Sequence, residues 1–325
     1  MLERRMLVFL LWAALGTAAC QSDRTVSSHA PVDDSTRSER LAAELEDETA
    51  ATVMVVAHRA CWSNGAPENS LSAIYECEQI GADIIEIDVA VTADGVPVLL
   101  HDETVDRTTD GIGRIAELSL ADIRGLRLRV GSGGLGSELT NERIPTLEEA
   151  LQASKDKFLI NLDVKAEVFD QAYAVVRSLA IEDQILMKMS ALPDDPRLRS
   201  ADFVGQTLFM PIIRQCMPQN NGAPCSASVS EVAPDFAPYN PIAYEIIYAD
   251  ADYFREGIAV MQGMRSRIWV NTLEPHHAAG HTDALAVSDP DAHWGQVVRD
   301  GANIIQTDRP ALLLSYLRSQ GLRAD

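Results

Sequence analysis

Positive charge is scarce in this chain. Its 325 residues hold 27 Lys plus Arg against 48 Asp plus Glu, a formal net charge of −21, with no basic run anywhere. So acidic a surface repels nucleic acid and anionic membrane surfaces, which argues against a nucleic-acid binder. An anionic substrate would need a metal ion or a few placed cations to counter that field. No G-x-G-x-x-G follows a strand-like run, so a dinucleotide-binding fold lacks its signature. No CxxC or Cys/His zinc spacing occurs, and there is no internal repeat. What is present is 46% hydrophobic and 23% charged. That excludes a disordered or fibrous protein and suffices for two ordinary domains or one large α/β barrel.

The first twenty residues read as a targeting segment. Arg4 and Arg5 precede an apolar stretch from Met6 to Leu15, then Gly16-Thr17-Ala18-Ala19 and Cys20. The apolar stretch is too short to span a bilayer, and the small residues suit cleavage, so residues 1–20 are expected to be a signal peptide. Cys20 after two alanines resembles a bacterial lipobox, in which the cysteine is lipidated. Thr17 stands where that motif prefers Leu, so plain cleavage is the alternative. Either route exports the chain, to the bacterial envelope (periplasmic or lipid-anchored) or beyond it, with the anchor as its one membrane contact. Residues 21–50 are polar and read as a flexible tether, with a helical turn at 41–46.

Four further cysteines, Cys61, Cys77, Cys216 and Cys225, suit two disulfides in an oxidising compartment. Three connectivities are possible. Local pairing, Cys61–Cys77 and Cys216–Cys225, is expected because each bond would staple a short segment; free buried thiols are the alternative.

From residue 51 onward, short β-branched runs alternate with helical patterns, the signature of βα units around a parallel sheet. Strands are predicted at 53–57, 83–89, 158–164, 184–189, 206–210, 244–248, 267–271 and 303–307. Helices are predicted at 70–80, 147–154, 169–179, 251–264, 291–300 and 309–317. Eight such strands predict a (β/α)8 TIM barrel over 51–325. A small insertion after the second strand, at about 90–145, carries its own strand at 96–101 and turn-rich sequence.

Barrel active sites form at strand C-terminal ends. The first strand ends in Ala57-His58-Arg59. The second carries Glu86-Ile87-Asp88, where alternation points both carboxylates the same way. The third carries Asp163-Val164-Lys165, and His101-Asp102 closes the strand in the insertion. Glu86, Asp88 and Asp163 would form an all-oxygen anionic cluster that calls for one hard divalent cation, Ca²⁺ or Mg²⁺. Arg59 offers a planar fork for phosphate and Lys165 a point charge. His58 and His101 suit acid and base work near neutral pH. Together these residues describe phosphoryl transfer better than acyl or glycosyl transfer. Singly, each has a bland reading as a structural rim residue. Pro67-Glu68-Asn69 is read as beginning a helix, with Glu68 either a capping carboxylate or part of the site.

At these residues the chain resembles the glycerophosphodiester phosphodiesterase family. The matching string runs through Ala57-His58-Arg59, Pro67-Glu68-Asn69-Ser70, Glu86-Ile87-Asp88-Val89, Thr92-Ala93-Asp94-Gly95, His101-Asp102 and Arg107-Thr108-Thr109. It continues with Gly111-Ile112-Gly113, Pro145-Thr146-Leu147-Glu148-Glu149, Asp163-Val164-Lys165 and Gln306-Thr307-Asp308-Arg309-Pro310. The resemblance implies a barrel with an inserted subdomain and metal-assisted cleavage of glycerophosphodiesters to glycerol 3-phosphate and an alcohol. It also implies His58 and His101 as the acid/base pair, Glu86, Asp88 and Asp163 as metal ligands, and Arg59 and Lys165 as phosphate contacts. The family usually has Gly where Ala60 stands and Glu where Asp163 stands. Its Trp-Thr-Val-Asn, near the seventh strand, becomes Trp269-Val270-Asn271-Thr272, so Trp269 shifts register if Asn271 is aligned; Trp269 and Asn271 are the candidates the resemblance offers for the substrate pocket. The same parts occur in sphingomyelinase D-like lipid phosphodiesterases; a non-catalytic envelope binding module is the rival from another class. His276, His277 and His281 follow the seventh strand and are expected in a polar loop facing substrate, or else in a second metal site.

Overall fold

The computed structural model describes residues 35–47, 51–164, 168–264 and 266–323. The expected signal peptide, Cys20 and Lys165 therefore lie outside the described residues. Strand β1 (Met54–Ala57) leads to helix α2 (Leu71–Ile80), and β2 (Ile84–Val91) follows. After β2 come a short β3 (Pro97–Leu99), a one-turn α3 (Leu120–Ile123) and α4 (Leu147–Ser154). The remaining alternation is β4 (Leu159–Val164), α5 (Phe169–Leu179), β5 (Ile185–Met189), α6 (Pro196–Ser200), β6 (Leu208–Arg214), α7 (Val229–Val232), β7 (Ala243–Ile247), α8 (Ala251–Met261) and β8 (Arg267–Asn271). Then α9 (Asp283–Ala286), α10 (Gln296–Arg299), β9 (Ile304–Thr307) and α11 (Pro310–Ser319) complete the chain's order. The sheet runs β1-β9-β8-β7-β6-β5-β4-β2, and β1 pairs again with β2, so eight parallel strands close into the expected barrel. Strand β3 pairs antiparallel with β2 and stands outside it.

Alternation along the strands sorts the barrel's inner wall into layers. Ile84, Leu159, Leu186, Ala243, Trp269 and Ile304 pack with Met54, Val56 and Met210 in one apolar cluster. Two residues further along six of these strands stand Glu86, Asn161, Lys188, Glu245, Asn271 and Gln306, all buried. Another step of two brings Asp88, Asp163 and Asp308 to the rim, where His58 joins them two residues beyond Val56. The wall thus changes from apolar to charged along its length, and the charges gather at the C-terminal end.

Of the tether expected at 21–50, residues 35–47 are described, and there the expected turn at 41–46 is part of a docked helix, α1 (Arg37–Glu46), which closes the other end of the barrel. Thr36 caps it through a capping box with Glu39. Leu41 and Leu45, one turn apart, join the apolar cluster at the barrel floor. Arg37 donates to the Lys157 carbonyl at 2.5 Å and Arg267 to the Glu44 carbonyl at 2.6 Å. The polar composition of this segment reflects its outward face; two leucines at helical spacing suffice to dock it.

Two smaller expectations also change. Pro67-Glu68-Asn69 precedes helix α2, because Asn69 is left-handed at φ 53° and the Ser70 hydroxyl is the N-cap, accepting from the Ala73 amide. The 291–300 helix starts as a π-turn over Asp291–Gly295 before α10. Residues Ala90, Val98, Leu100, Val105, Ile115, Ile123, Leu128 and Ile144 form a separate small core in the insertion. Among the described residues no helix is long and apolar enough to cross a membrane.

Candidate active site

The parallel register of β2 and β4 sets Asp88 beside Asp163 and Glu86 beside Asn161. As a result one carboxylate oxygen from each of Glu86, Asp88 and Asp163 lies within 4.8 Å of the others. Three like charges so close are unfavourable without a cation. Burial, and next the charge of Asp88, push the Glu86 carboxyl up to about 7. The set is all oxygen, which suits a hard divalent ion completed by water or substrate oxygens. Asp163 in place of the family's Glu keeps an oxygen in the cluster.

A buried lysine absent from the sequence reading partly offsets this charge. Lys188 on β5 lies 3.0 Å from Asp163 and 3.7 Å from Glu245. Burial works against its charge, but Asp163, Glu245 and Glu86 outweigh that and raise it well above the ordinary lysine value. Burial likewise pushes Asp163 upward, yet Lys188 holds it below its usual value. A lone charged residue inside Ile-Leu-Met-Lys-Met was the available signal for Lys188, and Glu245 inside Ala-Tyr-Glu-Ile-Ile is its counterpart.

His58 follows β1, and Asp308 follows β9. The two strands are registered Ala57 to Thr307, so the next pair across is His58 and Asp308. His58 Nδ1 lies 2.7 Å from Asp308 Oδ1, which leaves Nε2 for the pocket. Burial lowers the His58 pKa, but the Asp308 hydrogen bond and the Glu86 and Asp308 charges together raise it. Asp308 is anchored in turn: its amide donates to buried Asp283 at 2.7 Å, and Thr272, Thr307 and Trp294 donate to the same carboxylate. His101 comes from the insertion, just after β3, with Nδ1 2.7 Å from Asp102 Oδ1.

Arg59 crosses between the two centres. Its amide donates to Glu86 at 2.9 Å and its guanidinium to Glu68 at 3.1 Å, while Nε stands 3.4 Å from Asp88 without the alignment of a hydrogen bond. Arg59 and Ala60 are both left-handed, at φ 54° and 61°, a conformation costing roughly 1–2 kcal/mol per non-glycine residue. That is why glycine suits the place of Ala60. The turn is held by Ala60 N to Glu86 O at 3.0 Å, Asn69 N to Arg59 O at 3.0 Å, and the Cys61–Cys77 disulfide just beyond. Glu68 is neither a cap nor free. Both Arg59 and Arg107 hold it, and Arg107 also pairs with Asp102, holding that acid well below the carboxylate range. Asn69 exchanges two hydrogen bonds with Asp88.

Of these groups, His58, Arg59, Glu68, His101, Asp163, Lys188, Glu245 and Asp308 line a cavity of about 790 Å³ that also takes in Trp62, Ser190, Arg214, Asn271, Glu274 and His277. Asn271 donates to Glu245 at 2.9 Å. Trp269 is corrected: it is wholly buried in the barrel floor, and its Nε1 donates to Asn271 at 2.7 Å. It supports a pocket residue and cannot stack on substrate. His277 reaches the pocket, with Nδ1 buried and unpartnered; burial and then the His276 and Arg214 charges push it down to about 4. His281 instead meets His293 at 3.3 Å, so the two ends of His277-x-x-x-His281 do not share a metal site. Cys216 is bonded to Cys225, and the loop they close places Pro224 on the pocket wall.

Fold and site together define a (β/α)8-barrel protein with a carboxylate triad, two histidines and an arginine at its C-terminal rim. Residues 58–208, a little under half of the chain, match the model of the glycerophosphoryl diester phosphodiesterase family. Residues 209–317 match a second model, described as a domain of unknown function; this segment carries nearly all of β6 through to β9. Glycerophosphodiester phosphodiesterase 1 of Mus musculus is 43% identical over 131 residues, 40% of this chain and 39% of that protein. A glycerophosphodiester phosphodiesterase of Caldanaerobacter subterraneus is 41% identical over 116 residues, 35% of this chain and 46% of that protein. The chain thus spans less than half the length of these curated relatives. Among solved structures, a glycerophosphoryl diester phosphodiesterase from Parabacteroides distasonis superposes with a TM-score of 0.67 at 21% identity, covering 87% of this chain and 92% of that one. An Oleispira antarctica phosphodiesterase in complex with sn-glycerol-3-phosphate gives 0.59 at 21% identity, covering 83% and 99%. At such identities the superpositions speak for the fold.

Proposed function

We propose that the protein hydrolyses glycerophosphodiesters to glycerol 3-phosphate and an alcohol, with a divalent cation, Ca²⁺ or Mg²⁺, at Glu86, Asp88 and Asp163. The observation that carries this reading is the convergence of that triad with His58, His101 and Arg59 on one rim inside the family-matched segment. A bound cation supplies Lewis-acid stabilisation of the phosphoryl oxygens. The chain's own groups do the rest. Arg59 orients the phosphate, with Lys165 as a second contact. His101 accepts the proton of the neighbouring glycerol hydroxyl as that oxygen attacks phosphorus. His58, whose raised pKa favours its protonated form, gives its proton to the departing alcohol, leaving a cyclic phosphate. The roles then reverse: His58 takes a proton from water as water attacks phosphorus, and His101 returns one to the ring oxygen. Export through residues 1–20, with or without lipidation of Cys20, belongs to the same proposal and places the enzyme where envelope-derived diesters arise.

The test is glycerol 3-phosphate release from glycerophosphocholine and glycerophosphoethanolamine by the full chain, with chelator and after return of Ca²⁺ or Mg²⁺. Turnover restored by one ion is expected. His58→Ala and His101→Ala should each lose roughly 10²–10⁴-fold in kcat while keeping the wild-type circular dichroism. Wild-type rates in either variant would refute the acid/base pair. No turnover with any ion would favour the lipid-phosphodiesterase or binding-module readings.

A further inference from the structure

The wall facing the two histidines carries a cation that the reaction above does not use. Arg214 ends β6, which is the fifth strand around from β1 in a closed ring of eight and therefore lies across the mouth from His58. Its Nη1 donates to the Ser190 hydroxyl at 2.7 Å. Among the described residues it meets no carboxylate, whereas every other arginine or lysine lining the cavity does: Arg59 with Glu68, Lys188 with Asp163 and Arg197 with Asp195. The buried, unpartnered Nδ1 of His277 lies in the same cavity. In so acidic a chain, an unpaired guanidinium facing a cavity is unusual and favours an anionic ligand.

The backbone there is also preorganised. The Ser226 amide donates to the Arg214 carbonyl at 2.8 Å, the Cys216–Cys225 bond closes the loop that follows, and Gln215 accepts from the amides of Ala249 and Asp250. Such fixing suits a recognition residue.

We propose that Arg214 is a specificity residue that binds an anionic group, a carboxylate or second phosphate, on the alcohol portion of the diester. Glycerol carries no charge, so a group reaching across the mouth to Arg214 belongs to the variable alcohol. The inference rests on the phosphodiesterase reading and narrows its substrate class. Glu274 in the same cavity accommodates an ammonium group, which serine and ethanolamine head groups share; the carboxylate alone distinguishes them.

The test compares glycerophosphoserine with glycerophosphoethanolamine. Wild-type kcat/KM should favour the serine diester by roughly tenfold to a hundredfold. Arg214→Gln should bring the ratio near one, and Arg214→Lys should restore part of it, with thermal melts confirming that both variants fold. Calorimetric binding of both diesters to His101→Ala with Ca²⁺ is the second readout. Equal kcat/KM for the two diesters in the wild type, or a preference that survives in Arg214→Gln, overturns the proposal. Discrimination in binding without hydrolysis of either diester by the wild type keeps the subsite and sinks the reaction. Hydrolysis of both without discrimination does the reverse, and neither binding nor hydrolysis sinks both.

Discussion

His58 and Asp308 are 250 residues apart in sequence and 2.7 Å apart in space, and the pair sets a pH dependence. A general acid works while protonated, so activity should fall as pH rises through the pKa of His58. That pKa lies above the ordinary histidine value because the Asp308 bond and the Glu86 and Asp308 charges outweigh burial. Asp308→Asn removes the bonded carboxylate charge, so the alkaline limb of the pH–rate profile should move to lower pH and kcat at pH 8 should fall about tenfold or more. Movement of the acidic limb instead would make His58 the base; an unmoved profile would refute its role. The residue scale is also where a sequence discloses least about pairing. His58, His101 and the triad stand at strand ends, where barrel chemistry is expected. Lys188, Glu245, Asp308 and Asp283 have roles that are pairwise: each matters through a partner that only the closed barrel brings near.

Helix α1 shows the corresponding limit at the scale of an element. Its sequence is polar, and alternation or periodicity over ten residues cannot reveal that two leucines meet a barrel floor. Leu45 is 1% exposed and packs with the floor cluster. Leu45→Ala should therefore cost about 2–5 kcal/mol, read as a lower denaturant midpoint with an unchanged slope. A loss under about 0.5 kcal/mol would show α1 to be dispensable. Most strands, by contrast, were legible to within a residue or two, though β6, expected at 206–210, runs Leu208–Arg214. Arg267–Asn271 forms as predicted, and β4 and β5 differ by one residue at their starts. Parallel strands buried on both faces read as continuous β-branched runs, a local signal that survives without tertiary context.

For the whole molecule, a net charge of −21 and a converging triad make cation binding and stability one question. Ca²⁺ or Mg²⁺ bound only by the native state should raise Tm with concentration. Glu86 is raised to about 7, above its unfolded value. In the metal-free protein its protonated form therefore contributes stability that is fully present below about pH 4.5 and is lost as pH rises through 7. A cation must displace that proton, so the increase in Tm should be larger at pH 8 than at pH 5.5. Asp88→Asn should remove most of the increase. An equal increase in that variant would place the ion elsewhere.

Much of the protein is written locally. Strand periodicity, turn residues and strand-end polar groups were enough for the barrel, its insertion and the principal candidate residues, because each is a property of a few neighbouring side chains. Tertiary closure decided what depends on distance across the barrel. It buried Trp269 beneath the pocket, docked α1 on the floor, set Lys188 against the triad and left Arg214 facing the mouth without a carboxylate. Those outcomes depend on register and on which strand lies opposite which, and no local pattern encodes either.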